Sequence, residues 1–361
     1  MENFYLAALQ MVEGIGNARL RTLVSYFGSA QQAWKADRRD LFLCGCIDEM
    51  ILHKLMMLRE KLDIQNIADT WRKKAIQICS YSDSNYPKLL LNTYNPPMLL
   101  YYRGTLPQHD NLIAIVGARK ASAYGKNVSH MLAEQLAAAG MCVVSGAARG
   151  IDRAAHEGAL LKGQTVAVLG CGVDVAYPPE NKKLLDEISE KGVVISEYAP
   201  GTVPHPAFFP ARNRIINGMS KGVLVVEAAE RSGALITADY ALEEGRDVFA
   251  IPGSIFSASS KGTHRLLKQG AKIVDTVEDI LEEYSIAVFK ADEKEIHLNV
   301  EERKVYNILS IENPVDLEEI VIKSQLTVAS AAYILLQLEL RGLATEHSGK
   351  RYTRVAQEGI R

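Results

Sequence analysis

The run Phe208-Phe209-Pro210-Ala211-Arg212-Asn213-Arg214-Ile215-Ile216 gathers two arginines, an asparagine and an aromatic pair just ahead of the apolar segment Val223-Leu224-Val225-Val226. Guanidinium forks match phosphate oxygens, and aromatic faces stack on bases. Nothing in the run has the look of a nucleophile or a metal ligand. Its chemistry is that of holding nucleic acid, not cutting it.

Further cations recur after short apolar runs. Arg119, Lys120 and Ser122 follow Ile113–Val116, and Gly146, Arg149 and Arg153 follow Met141–Val144. Lys182 and Lys183 open the helical stretch after Thr165–Leu169 and its Gly170-Cys171-Gly172. Glycine at such ends lets a phosphate or another backbone approach closely, and serine adds a donor. The helix expected near Asp152 offers free N–H groups to an anion. The set predicts a basic, phosphate-binding cleft on a chain whose net charge is only -2. The alternative is a set of solvated charges at helix ends.

Two enzymatic patterns are weaker. Gly170-Cys171-Gly172-Val173-Asp174-Val175 begins like a dinucleotide fingerprint, but valine stands at the last glycine position and the run follows the third strand. Asp152 and His156 lie one helical turn apart without a poised serine or cysteine, and read as a helix cap and a satisfied histidine. Glu227, ending a buried strand, reads as a partner that orients the arginines.

The elements that must position these residues follow from hydropathy. Six runs (113–116, 141–144, 165–169, 193–195, 223–226 and 248–251) are continuously apolar and alternate with helical stretches. That pattern predicts a mostly parallel, doubly wound α/β sheet covered on both faces, with its ligand edge at the strands' carboxyl ends. The expected division is a helical unit over 1–66, an extended Rossmann-like unit over 67–287, a charged linker over 288–298 and a winged-helix unit over 299–361.

The 361 residues suffice for two or three domains, and 48% apolar content is ordinary for a folded chain. Five cysteines (44, 46, 79, 142 and 171) make neither a disulfide framework nor a metal tetrad. No metal and no cofactor are expected. The start lacks a basic, signal-like segment, and no stretch is apolar enough to span a bilayer, so a cytoplasmic chain without membrane contact is expected.

Several ordered motifs resemble the DNA-processing protein A (DprA, or Smf) family. They are Ile115–Gly125, Ser145–Asp152 with Ala155-His156, and Gly172-Val173-Asp174 with Tyr177-Pro178 and Asn181. Phe209–Arg214, Glu227-Ala228 with Ser232–Ala238, and Ile251-Pro252-Gly253 complete the order, and Tyr86-Pro87, Pro96-Pro97, Tyr101 and Gly104 precede it. The resemblance runs from about Ser80 to Ala271. It implies an extended Rossmann-like domain that binds single-stranded DNA, protects incoming strands in natural transformation and helps load the RecA recombinase. It implies a homodimer and no catalysis. The implied pocket comprises Arg119, the Gly146–Gly150 loop, Lys182 or Lys183, Phe209, Arg212 and Arg214. His264 departs from the asparagine expected after Gly262-Thr263.

Leu266, Leu267 and Ile273 are the candidate apolar patch for the dimer. Gly14 and Gly16, with Arg19 nearby, resemble a helix-hairpin-helix turn that makes a second DNA contact, or else a packing turn. In the tail, Leu317–Ser324 and Val328–Leu340 resemble a helix-turn-helix with a wing at Gly349-Lys350-Arg351. Its second helix carries no lysine or arginine, which favours protein contact or packing over base readout. Two competing functions remain: a Rossmann-like nucleotide hydrolase, whose glycine-threonine-glutamate block is missing from Ile251–Ile255, and a winged-helix transcription regulator.

Overall fold

The computed structural model of the chain describes residues 1–286, 298–311 and 313–355. The expected linker over 288–298 lies outside the described residues except for Leu298.

Six helices come first: α1 (Glu2–Gln10), α2 (Asn17–Phe27), α3 (Ala30–Lys35), α4 (Arg38–Leu43), α5 (Glu49–Lys61) and α6 (Ile64–Lys73). Asp37, Asp48 and Asp63 start the last three by accepting backbone N–H groups that a helix leaves unpaired. The apolar faces meet in a core that includes Leu9, Leu20, Leu23, Leu55 and Trp71. The same core continues into Met98, Leu99 and Tyr101, so these helices are seated on the sheet that follows. The expected boundary at residue 66 falls inside α6, whose Ala68 and Trp71 are buried.

The central unit runs β1 (Gln77–Ser80), α7 (Lys88–Leu91), β2 (Leu99–Gly104), β3 (Leu112–Val116), α8 (Ala123–Ala138), β4 (Cys142–Ser145), α9 (Ile151–Ala159) and β5 (Thr165–Leu169). It continues with α10 (Lys182–Lys191), β6 (Val193–Ser196), α11 (Phe208–Gly218), β7 (Gly222–Val225), α12 (Gly233–Glu243), β8 (Asp247–Ala250), α13 (Lys261–Lys268), β9 (Lys272–Ile273) and α14 (Glu278–Leu281). The nine strands lie in the order β1-β2-β6-β5-β4-β3-β7-β8-β9. From β6 to β9 every pairing is parallel, whereas β1 and β2 pair antiparallel at one edge. Strands β3 to β7 are buried at every residue, as a sheet covered on both faces requires. The chain moves from β3 to β4 on one side, and β7 returns on the other. The crevice beyond β3 and β7 is therefore the topological switch point, where such sheets bind ligands.

The tail comprises α15 (Val300–Ile308), β10 (Val315–Asp316), α16 (Leu317–Ser324), α17 (Val328–Leu340), β11 (Ala344–His347) and β12 (Arg351–Arg354). Helices α16 and α17 meet at 109° and match the expected helix-turn-helix. The wing turns through Gly349 and Lys350, both at positive φ. This unit has its own core around Tyr306, Ile320, Leu335 and Leu338. Among the described residues no single helix is long and apolar enough to cross a membrane.

Candidate nucleic-acid interface

A cleft of about 530 Å³ opens at the switch point. Its floor and walls come from Gly117 and Arg119 after β3, Ala148 and Asp152 after β4, Tyr177, the α11 residues Phe209, Arg212 and Asn213, and Ser232 to Thr237 at the start of α12. Gly146 and Arg149 line a small pocket beside it. Glycine is required at several of these turns. A Cβ on Gly146 would lie 2.6 Å from the Arg212 guanidinium, and one on Gly117 would lie 2.6 Å from Ile151. Gly150 sits at φ 77 against the carbonyls of Ala118 and Arg119, locking the loops after β3 and β4 together.

Helix geometry assigns different tasks to the residues of the α11 run. Successive residues are turned by about 100°, so side chains two apart point roughly 200° apart. Phe209, Arg212, Asn213 and Ile216 share the cleft side. Arg214 is turned away: it pairs with Glu197 and donates to the Asn95 carbonyl, and Glu197 also accepts from Asn17 of the helical unit. The expectation that both arginines face one pocket is corrected accordingly. Arg214 closes the seam between the sheet and the N-terminal helices.

Arg212 lines the cleft but is only 4% exposed. Its Nη1 donates to the carbonyls of Gly146 and Val168, tying together the ends of β4 and β5. Burial lowers its pKa to about 10, against the pull of the Asp152 carboxylate. Asp152 itself is raised by burial, opposed by Arg212. The exposed cation of the cleft is Arg119, whose guanidinium lies 5.3 Å over the Phe209 ring. Tyr177 stands 5.3 Å from the same ring and is 37% exposed. Arg119, Phe209 and Tyr177 thus form an aromatic platform beside an exposed guanidinium. The N-termini of α9 and α12 add backbone donors; Ser232 caps α12 and Gly233 beside it faces open space.

The remaining expected residues have other placements. Arg149 pairs with Glu180 at the rim. Lys182 pairs with Asp186 at 2.9 Å along α10, and neither Lys182 nor Lys183 lines the cleft. Lys120 borders a second cleft described below. Ser122 caps α8 by accepting from Gly125 N, and donates its hydroxyl to Glu227. Glu227 also accepts from Ser122 N at 2.9 Å and from Ser259 Oγ at 3.3 Å, so it pins the β3–α8 loop and does not orient arginines.

His156 is fully buried, with Nδ1 2.7 Å from Thr165 Oγ1. Thr165 spends its proton on the Val143 carbonyl, so His156 donates through Nδ1. In the helical unit, Arg19 donates to the carbonyls of Gly14 and Cys46 and joins two turns to each other. Gly14 packs against Ile51, while Gly16 faces open space. In the expected dimer patch, Leu266 is a core residue at 1% exposure, Leu267 packs against the same core, and Ile273 is 54% exposed on edge strand β9. His264 is 3.0 Å from the Gly253 carbonyl. Tyr177, Ser232, Gly233 and Thr237 were not among the expected site residues. Their signal is the same strand-end placement that marked the others.

A family model for DNA recombination-mediator protein A matches residues 77–285, and one for the DprA winged helix domain matches residues 289–350. Protein Smf of Synechocystis sp. is 32% identical over 98% of this chain and 99% of its own. DNA processing protein DprA of Streptococcus pneumoniae is 48% identical over 57% of this chain and 73% of its own. The X-ray structure of DNA processing protein A from S. pneumoniae superposes with a TM-score of 0.68 at 37% identity, covering 78% of this chain and 98% of that one. A structure of the Helicobacter pylori protein, described for its single-stranded DNA binding mode, superposes with a TM-score of 0.53 at 31% identity, covering 58% of this chain and 96% of that one. With its strand-end motifs assembled on one crevice, this chain belongs to the DNA recombination-mediator protein A (DprA/Smf) family.

Proposed function

We propose that the switch-point cleft holds single-stranded DNA, that the protein shields incoming strands in natural transformation, and that it hands them to RecA in the cytoplasm without performing chemistry. The observation that carries this reading is the Arg119–Phe209–Tyr177 platform at the mouth of a glycine-lined cleft. A single strand exposes its bases for stacking, whereas a duplex does not. The absence of a catalytic step is supported by the candidate acid–base groups: His156 is buried and bonded to Thr165, and Glu227 is occupied by two serines. The H. pylori relative's single-strand binding agrees with the assignment.

The test is fluorescence anisotropy with labelled oligo-dT and a matched duplex across a salt series. Tight, salt-sensitive binding to the single strand is expected, with the duplex much weaker. Arg119→Ala should weaken single-strand binding about tenfold and lower the salt slope by about 0.7. Equal affinity for duplex, or an unaffected Arg119→Ala variant, refutes the cleft assignment. Hand-off is read separately, as faster RecA filament growth on protein-coated strands.

The division into a helical unit, a Rossmann-like unit and a winged unit is proposed with the first boundary after α6. A homodimer is proposed through edge strand β9, where Ile273 is available and Leu266 is not. Sedimentation should give twice the monomer mass at micromolar concentration; a monomeric mass counts against it.

A further inference from the structure

A second cleft, of about 710 Å³, lies between the central unit and the winged unit. One wall is built from Lys120, Lys126 and His130 along α8 and the loop before it, and from Arg149 and Arg153 at the start of α9. The other wall is β11, through Thr345 and His347, with Glu339 near the end of α17. Asn127 joins the walls by donating to the carbonyls of Ile311 and Arg354 at 3.4 and 3.5 Å. Arg119 borders this cleft and the switch-point cleft alike, so the two adjoin at its side chain.

The charge of the lining singles it out on a chain of net charge -2. Lys120 and Lys126 are exposed and have no carboxylate partner among the described residues. Lys126 and His130, one helical turn apart, share a face of α8. Arg149 and Arg153 pair with Glu180 and Glu157 at the surface. Exposed pairs of this kind contribute little, so a phosphate can replace the carboxylate without a large cost. The positive field reaches the far wall: burial first, then Lys126 and Arg351, holds the His347 imidazole below its ordinary range.

The winged unit turns β11 toward these cations, and of its second helix only Glu339, near the C-terminal end, reaches the cleft. That helix, α17, exposes the largely apolar set Val328, Tyr333, Leu336 and Leu340 to solvent and carries no lysine or arginine for base edges. We propose that a single strand leaving the base-stacking platform continues through this cleft, its phosphates on Lys120, Lys126, Arg149 and Arg153, with β11 as the far wall. This inference rests on the single-strand reading of the switch-point cleft.

The experiment compares oligo-dT of about 6 and about 20 nucleotides on the full chain, with Lys126→Glu and Arg153→Glu as variants. Each variant should weaken the long oligomer about five- to tenfold and reduce its salt slope by about 0.7 or more, while leaving the short oligomer unchanged. Hydrogen exchange of residues 344–347 should slow with the long oligomer and not with the short one, a readout that requires no variant. Unchanged long-oligomer affinity together with unprotected β11 overturns the track and leaves the platform standing. Equal losses on both lengths overturn it too, as does protection of β11 by duplex alone. Failure of the unaltered protein to bind the short oligomer instead sinks the single-strand reading itself.

Discussion

Arg119 and Arg212 line the same cleft and do different work. Arg119 is exposed and stacked on Phe209, so its removal leaves the fold alone and subtracts one exposed charge from the cleft. Arg212 is buried, and its guanidinium satisfies the Gly146 and Val168 carbonyls beside Asp152. Arg212→Ala leaves those two buried carbonyls without their donor, a loss of roughly 1–3 kcal/mol for each unsatisfied group. Thermal unfolding should therefore separate the two: a large fall in Tm for Arg212→Ala, and a stability within about 0.5 kcal/mol of the parent for Arg119→Ala. Equal Tm values for both would show that Arg212 is not structural. His156 gives a pH signature from the same region. Burial, with Arg212 adding, lowers its pKa to about 3, whereas the unfolded chain keeps about 6.5. Below pH 6.5 the unfolded state binds a proton that the folded state refuses. Stability present above pH 6.5 is thus lost as pH falls toward 3, by up to about 1.4 kcal/mol per pH unit from this group. Denaturant titrations at pH 7.5 and 5 should show that loss, and His156→Gln should shrink it; an unchanged pH slope in the variant would refute the assignment.

At the scale of elements, legibility tracked burial. Strands β3 to β8 stand out in the sequence because both faces are covered, which leaves short continuous apolar runs. Strand β1 does not, since Gln77-Ile78-Cys79-Ser80 is a half-buried edge strand, and β2 follows Pro96-Pro97 without a crossover helix to announce it. The glycines in the strand-end motifs were legible because they answer to close contacts that the folded sheet makes at Gly117, Gly146 and Gly150. The orientation of the side chains was less legible. Phe208–Ile216 read as a run of neighbours, whereas in α11 the helical period sends Arg212 inward and Arg214 to Glu197. Lys182 and Lys183 misled for a related reason: they follow a strand in sequence, but Lys182 spends its charge on Asp186 one turn along α10. Glu227 was legible as a buried carboxylate and not as the partner of Ser122, since serine before a helix predicts a cap and nothing more.

At the scale of the whole molecule, the two flanking units relate to the sheet differently. The winged unit closes its own core around Tyr306 and Leu335 and meets the central unit along a polar cleft. The N-terminal helices share one core with the sheet edge: Met98, Leu99 and Tyr101 are fully buried in the cluster that holds Leu9 and Trp71. Asn17 reinforces that seam by accepting from Met98 N and donating to Glu197, the partner of Arg214. Removing residues 1–75 therefore strips cover from β2 and takes away the Asn17 bonds to Met98 and Glu197, while ending the chain at Ile286 leaves the three cores of the sheet as they are. The first truncation should aggregate, or lose roughly 10 °C or more in Tm, at about 2–4 °C for each kcal/mol in a unit of this size. The second should unfold within a few degrees of the full chain and still bind a short single strand. A stable, monodisperse product lacking residues 1–75 would show that the helical unit is an appended module; a collapse on that side alone would show that the N-terminal helices and the sheet fold as one body.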